Sequence, residues 1–82
     1  MNALVSIITP SYNSAKFIAE TIQSVQSQTY SNWEMIIVDD GSSDETENVV
    51  LSIIQNDNRI QFHKLSQNSG PAVARNTGIK KA

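Results

Sequence analysis

The stretch that most limits what this chain can become is Trp33-Glu34-Met35-Ile36-Ile37-Val38-Asp39-Asp40-Gly41-Ser42-Ser43. Met35 to Val38 is an unbroken apolar run rich in β-branched side chains, and its length suits a strand covered on both faces. Two carboxylates, a glycine and two serines follow at once. Open α/β sheets bind ligands at the carboxyl ends of their strands, so a buried parallel strand running into acids and turn formers delivers them to a crevice. The competing reading is that Asp39 and Asp40 only cap a turn and the next helix, which Asp does well. The local pattern leaves both open.

The flanking segments supply the rest of the layer. Leu4-Val5-Ser6-Ile7-Ile8-Thr9 reads as a first strand, which Pro10 should end because it has no N–H for a ladder. Pro10 to Ser14 is a loop of turn formers around Tyr12. From Ala15 to Gln28 the pattern turns helical: Ile18, Ile22 and Val25 fall at i, i+4, i+7 with Phe17 beside them, and Lys16, Glu20, Gln23 and Gln26 lie off that stripe. After Gly41, Asp44 and Glu47 have capping-box spacing, Ser43 is an equally good cap, and the first turn is acidic. Val49, Val50, Ile53 and Ile54 would form the buried stripe of this second helix, which Asn56-Asp57-Asn58 ends. Ile60 to Leu65 alternates enough for a third strand. Ser66 to Gly70 is a loop, and Pro71 suits the first turn of a third helix through Ala72, Ala74 and Ile79, with Gly78 a weak spot.

The order is therefore β-α-β-α-β-α, with strands starting near residues 4, 34 and 60. Alternation at this spacing implies parallel strands joined by right-handed crossovers, half of a doubly wound sheet. Eighty-two residues allow at most one small domain. With 39% hydrophobic and 17% charged residues, nothing points to disorder. The absence of cysteine excludes disulfides and thiolate metal sites, and a single histidine, His63, excludes a multi-histidine site. No apolar run approaches the ~20 residues that span a bilayer. Met1-Asn2-Ala3-Leu4 lacks the basic start of a secretory signal, so a cytosolic setting is expected. All eight acids fall in residues 1–57 beside one base, Lys16, whereas residues 58–82 carry five bases and no acid. A basic end favours anionic ligands, but without interleaved aromatics it is a poor nucleic-acid signature, and residues beyond a cut would balance it.

The first strand is not followed by G-x-G-x-x-G, and no G-x-x-x-x-G-K-[ST] occurs, so the dinucleotide fingerprint and the P-loop are both ruled out. His63, alone in a strand, reads as a solvent-edge residue. Three pieces can converge on one sheet edge: Thr9 to Asn13, Asp39-Asp40, and Asn68-Ser69-Gly70. Tyr12 would either offer a ring face to a flat heterocycle or pack over the sheet edge. A carboxylate there could accept from a base N–H or a ribose hydroxyl. Arg75, about one turn into the last helix, would pair with Asp39 or Asp40 or reach a phosphate. Adjacent residues leaving a strand point in opposite directions, so Asp39 and Asp40 should do different jobs.

Four blocks, taken together, resemble family 2 glycosyltransferases: Val5-Ser6-Ile7-Ile8-Thr9-Pro10-Ser11-Tyr12-Asn13, then Ser24-x-x-Ser27-Gln28-Thr29-Tyr30, then Ile37-Val38-Asp39-Asp40-Gly41-Ser42, and Asn68-Ser69-Gly70 with Ala74-Arg75-Asn76-x-Gly78. The likeness covers essentially the whole chain. It implies a Rossmann-like parallel sheet that is the N-terminal half of a GT-A fold, with residues 1–82 forming a single incomplete domain. It further implies that Thr9, Pro10 and Tyr12 line a base and ribose pocket, that Asp40 hydrogen-bonds the base, that Asp39 is a second acid close by, and that Arg75 braces the nucleotide. The full protein would transfer a sugar from a nucleotide-diphosphate donor, UDP-linked, to the hydroxyl of a glycan or lipid-linked acceptor. Its setting would be cytoplasmic, at the membrane surface.

The departures from the family pattern matter as much. The resemblance implies a D-x-D-type metal motif and a catalytic acid further on, yet no aspartate follows Asp57. The expectation is an N-terminal fragment that contains neither catalytic residues nor metal ligands, the full enzyme using Mg or Mn held elsewhere. An unpaired sheet edge would make such a piece prone to self-association. The alternative is a non-catalytic nucleotide-binding or receiver-like module. A receiver needs an acid at the end of the third strand, where this chain has Lys64-Leu65-Ser66.

Overall fold

In a computed structural model the three strands form one parallel sheet in the order β1-β2-β3, with β1 at Val5–Ser11, β2 at Trp33–Asp39 and β3 at Ile60–Lys64. The structure describes residues 3–66 and 68–82; Met1, Asn2 and Gln67, the last in the expected loop before the third helix, lie outside the described residues. Ser11 pairs with Asp39 and Asp39 with Lys64, so the three strands finish level and their outgoing loops share one edge. The stretch Trp33–Asp39 is the central strand.

Two helices, α1 (Ile18–Gln26) and α2 (Thr46–Ile54), cover one face, and α3 (Pro71–Lys81) covers the other. The strand pleat divides β2 between them. Trp33, Met35 and Ile37 pack with Ile18, Ile22, Val50 and Ile60, while Ile36 and Val38 pack with Ala74. That two-sided cover is why the run is apolar without alternation. Its four residues are fully buried, each worth about 1.5–3 kcal/mol.

The differences from the sequence reading have local causes. Pro10 does not end β1; it pairs in register with Val38. The Val5 N–H donates to the Asn32 carbonyl (3.0 Å) and the Ser11 carbonyl accepts from the Asp40 N–H (2.8 Å), so odd-numbered residues of β1 bond to β2. The missing N–H of Pro10 therefore falls on the sheet's open edge and removes no ladder bond. Helix α1 begins at Ile18 because residues 14–17 form a turn in which the Phe17 and Ile18 N–H groups both donate to the Ser14 carbonyl (2.9 and 2.8 Å). Phe17 is consequently 64% exposed, not part of the buried stripe. The capping box before α2 does not form, since Glu47 pairs with Lys64 (3.2 Å) and Asp44 accepts from the Thr46 N–H (3.0 Å). In α3 the packed positions are Ala74 and Gly78, and Ile79 is exposed. A Cβ on Gly78 would stand 2.5 Å from Ile8 Cγ2, so the glycine lets the helix lie against the sheet.

At the far edge of the sheet, Asp57 receives Arg59 Nε and Nη2 at 2.9 Å each and Gln26 Nε2 at 3.1 Å. The Arg59 guanidinium lies 3.9 Å from the Trp33 ring centre, a stacking that adds about 0.5–2 kcal/mol. The Arg59 hydrogen bonds hold the Asp57 carboxyl far below the ordinary carboxylate range. Together these contacts tie the end of α1 to the starts of β2 and β3. Among the described residues no helix is long and apolar enough to cross a membrane.

Candidate functional site

The site grows from Asp39, the last residue of β2, and Asp40, which follows it, and the pleat sends them to opposite faces. Asp39 continues the Trp33, Met35, Ile37 side, toward α1 and α2. Asp40 continues the Ile36, Val38 side, toward α3. Both are buried, at 0% and 4% exposure.

Asp39 accepts three hydrogen bonds. Oδ1 takes the Ser11 hydroxyl (2.9 Å) and the Ser42 hydroxyl (2.5 Å), and Oδ2 takes the Ser42 N–H (2.7 Å). The last bond closes a tight turn in which Gly41 adopts φ 81°, a conformation glycine reaches without a Cβ penalty. Around that turn the loops after β1 and β2 are joined by backbone-to-side-chain bonds. Asn13 N–H donates to Ser42 Oγ (2.8 Å), Ser43 N–H to Asn13 Oδ1 (2.9 Å), Ser14 N–H to Thr46 Oγ1 (2.8 Å) and Ala15 N–H to Asp44 Oδ2 (3.2 Å). The Thr46 hydroxyl, with backbone donors, lowers the Asp44 pKa.

Asp40 serves the other side. Its Oδ1 accepts the Ser69 N–H (2.7 Å) and its Oδ2 the Gly70 N–H (2.9 Å), fixing the residues that lead into α3. A carboxylate at a helix N-terminus is favoured by the macrodipole as well. Each oxygen keeps a lone pair for a further donor.

Above Asp40 opens a cleft of about 190 Å³ lined by Pro10, Ser11, Tyr12, Asp40, Asn68 and Pro71. Tyr12 is 49% exposed, so it presents ring surface at the rim. Of the residues singled out from sequence, the structure brings Pro10, Tyr12 and Asp40 together in this cleft. Thr9 is not among the lining residues; it shares the parity of Ile7, on the α1 and α2 side. Asp39 lies beneath the cleft on that same side. Arg75 is exposed on α3 and, among the described residues, pairs with neither Asp39 nor Asp40. At the end of β3, Lys64 pairs with Glu47 and Leu65 packs against the α3-side core, so no acid stands where a receiver would need one.

Sequence reasoning gave no separate role to Ser11, Asn13 and Ser42, which hold the loops, or to Pro71, which lines the cleft. Asn68, expected at this edge, lines it too. The strand register is what places Ser11 beside Asp39, and no local pattern announces it. Among the described residues no three His, Cys, Asp or Glu side chains stand together as a metal site, and the oxygens of Asp39 and Asp40 are engaged by O–H and N–H donors. The two carboxylates face opposite sides of the sheet, so they are poorly arranged to share one divalent ion. What the cleft can do is hold a flat group against Tyr12 and offer the Asp40 carboxylate to its N–H or O–H donors.

The same fold recurs among known proteins. The model of glycosyl transferase family 2 matches residues 6–82. The UDP-Glc:alpha-D-GlcNAc-diphosphoundecaprenol beta-1,3-glucosyltransferase WfgD of Escherichia coli is 48% identical over 79 residues, covering 96% of this chain and 30% of that protein. The crystal structure of S. aureus TarS 1–349 in complex with UDP superposes with a TM-score of 0.89 at 35% identity, covering 98% of this chain and 24% of that one. The mannosyltransferase PcManGT of Pyrobaculum calidifontis, in complex with GDP-Man and Mn2+, gives a TM-score of 0.88 at 28% identity, over 95% of this chain and 24% of that one. The chain spans under a third of the length of the curated relatives it matches.

Proposed function

The chain belongs to glycosyl transferase family 2, and from that premise we propose that it forms the nucleotide-holding part of an enzyme transferring a sugar from a nucleotide-diphosphate donor to an acceptor hydroxyl. The fold is the three-stranded parallel α/β sheet of GT-A glycosyltransferases. The observation that carries the proposal is the cleft at the carboxyl edge, where an exposed tyrosine ring and a buried carboxylate flank a space open to solvent.

In this reading Tyr12 stacks on the base, Asp40 accepts from the base N–H, and Pro10 closes the floor. Arg75, exposed on the adjacent helix, reaches toward the donor's phosphates. UDP is the favoured donor nucleotide, because the TarS structure at 35% identity carries UDP and WfgD is named for a UDP-sugar. The acceptor in this reading is a glycan or a lipid-linked glycan, as the WfgD name describes for that protein, and the setting we propose is the cytoplasm at a membrane surface. A divalent metal, Mg or Mn, is assigned to residues outside 1–82, since no three His, Cys, Asp or Glu side chains gather among the described residues. Self-association of the isolated chain through the open edges of β1 and β3 belongs to the same proposal and is read by sedimentation.

Titration calorimetry with UDP, GDP, ADP and CDP tests the assignment. UDP should bind tightest, and Tyr12→Ala should weaken it by about 1–3 kcal/mol, the range for stacking a base on an aromatic ring. Equal affinity for all four nucleotides, or a Tyr12→Ala variant with unaltered affinity, would overturn it.

A further inference from the structure

We propose that Asp39, which lies outside the cleft, is the positioning residue that sets the Tyr12 ring; the inference rests on Tyr12 being the base platform. Asp39 is fully buried and faces α1 and α2, so it cannot touch a ligand lying on the α3 side of the sheet edge. Its hydrogen bonds, however, reach both neighbours of Tyr12, one directly and one through Ser42. Ser11, just before the tyrosine, gives its hydroxyl to Oδ1 (2.9 Å). Asn13, just after it, gives its N–H to Ser42 Oγ (2.8 Å). Ser42 in turn is held by the same carboxylate through both its hydroxyl and its N–H (2.7 Å for the latter). The two neighbours of Tyr12 are thus tied to one side chain from opposite ends.

Asn13 adds a reason for the tie. It is the one non-glycine residue with positive φ among those described, at 48°, a left-handed conformation that needs local support. The Ser42 hydroxyl and the Ser43 N–H supply it, and only the turn closed by Asp39 puts Ser42 in reach. Without that turn the bend at Tyr12 and Asn13 relaxes, and the tyrosine is no longer held in the cleft wall. Asp39 and Asp40 therefore support the cleft from two directions. Asp40 stands in it, and Asp39 holds its opposite wall from behind.

A double-mutant cycle on the intact protein tests this, with dissociation constants for UDP and UMP and with Trp33 fluorescence confirming the fold. Asp39→Asn keeps the shape but turns one accepting oxygen into a donor. Tyr12→Ala should weaken both nucleotides by about tenfold or more, as loss of base stacking does. Asp39→Asn should weaken both by roughly fivefold or more with Tyr12 present, and by under about twofold in the Tyr12→Ala background, the signature of two residues acting as a unit. An equal loss in both backgrounds, or no loss with Tyr12 present, overturns the inference while leaving the nucleotide site standing. No loss in Tyr12→Ala alone overturns the nucleotide reading, and this inference with it. Should Asp39→Asn lose the Trp33 signal, Ser42→Ala decides: it removes the hydroxyl that joins Asn13 to Asp39 but keeps the Ser42 N–H bond to the carboxylate, and the same non-additive pattern at smaller size is required.

Discussion

Gly78→Ala sets two well-known effects against each other. In a helix interior alanine is better than glycine by about 1 kcal/mol, because glycine loses more backbone freedom on folding. Propensity alone therefore predicts a more stable protein. The structure predicts the reverse. A Cβ at position 78 would lie 2.5 Å from Ile8 Cγ2, 3.3 Å from Val38 Cγ2 and 3.7 Å from Ile8 Cβ. Carbon atoms are comfortable at about 3.5–4.0 Å, so something must retreat by about an ångström. Neither neighbour yields easily: both methyls sit on β-branched side chains with stiff χ1, and Val38 is fully buried in the central strand.

Overpacking of this kind costs about 1–3 kcal/mol, and the helix is the part most able to move, since it meets the sheet through Ala74 and Gly78. The net expectation is a loss of about 1–2 kcal/mol, or a fall in Tm of roughly 4–16 °C at this size. Urea denaturation followed by the buried Trp33 reads it directly. The clash also has an internal control. Ile8→Ala removes the Cγ2 methyl, so adding Gly78→Ala to that background should stabilise, restoring the sign that propensity demands. If Gly78→Ala alone raises stability, the close approach of α3 to β1 is not what the glycine is for.

Two further substitutions probe the carboxylates. Asp40→Ala removes the acceptor for the Ser69 and Gly70 N–H groups and should weaken UDP binding by about 1–3 kcal/mol; calorimetry showing unchanged affinity would sink its role, and amide exchange at the same two residues should quicken. For Asp57 the folded pKa is depressed, chiefly by the Arg59 hydrogen bonds, so its stabilisation is whole above the unfolded value of 3.8 and is lost as pH falls through the lower folded value. Wild type should exceed Asp57→Asn in urea midpoint at pH 6, and the gap should narrow by pH 2.5; a gap independent of pH contradicts the assignment.

How far the fold was legible follows from which interactions are local. The apolar run 35–38 announced a strand covered on both sides because both faces really are covered, and the β-α-β-α-β-α order survived unchanged. What failed was local bookkeeping that only tertiary structure settles. Pro10 stays in β1 because its absent N–H faces an edge, a fact of sheet order that sequence does not carry. Phe17 matched the helical stripe of Ile18, Ile22 and Val25, but a turn at residues 14–17 precedes the helix and leaves it outside. Gly78 read as a defect because propensity sees only the helix, not the methyls of the strands it leans on.

The acidic doublet shows the same division at the site. From sequence, either both acids formed turns or one met a ligand. The pleat makes those alternatives into two simultaneous jobs. Asp39 does form a turn, with Ser42, on the side covered by α1 and α2, and Asp40 does face a cleft, while also receiving the start of α3. Strand alternation requires two consecutive residues to face opposite ways, so an adjacent pair of acids at a strand end is poorly arranged to share one ligand. It is well arranged to hold the loops on both sides of the sheet in register with each other. Substitutions should therefore separate by face: changes at Asp39 act on the loop that carries Tyr12, changes at Asp40 on the loop that leads to Arg75, and the two meet only through whatever occupies the cleft.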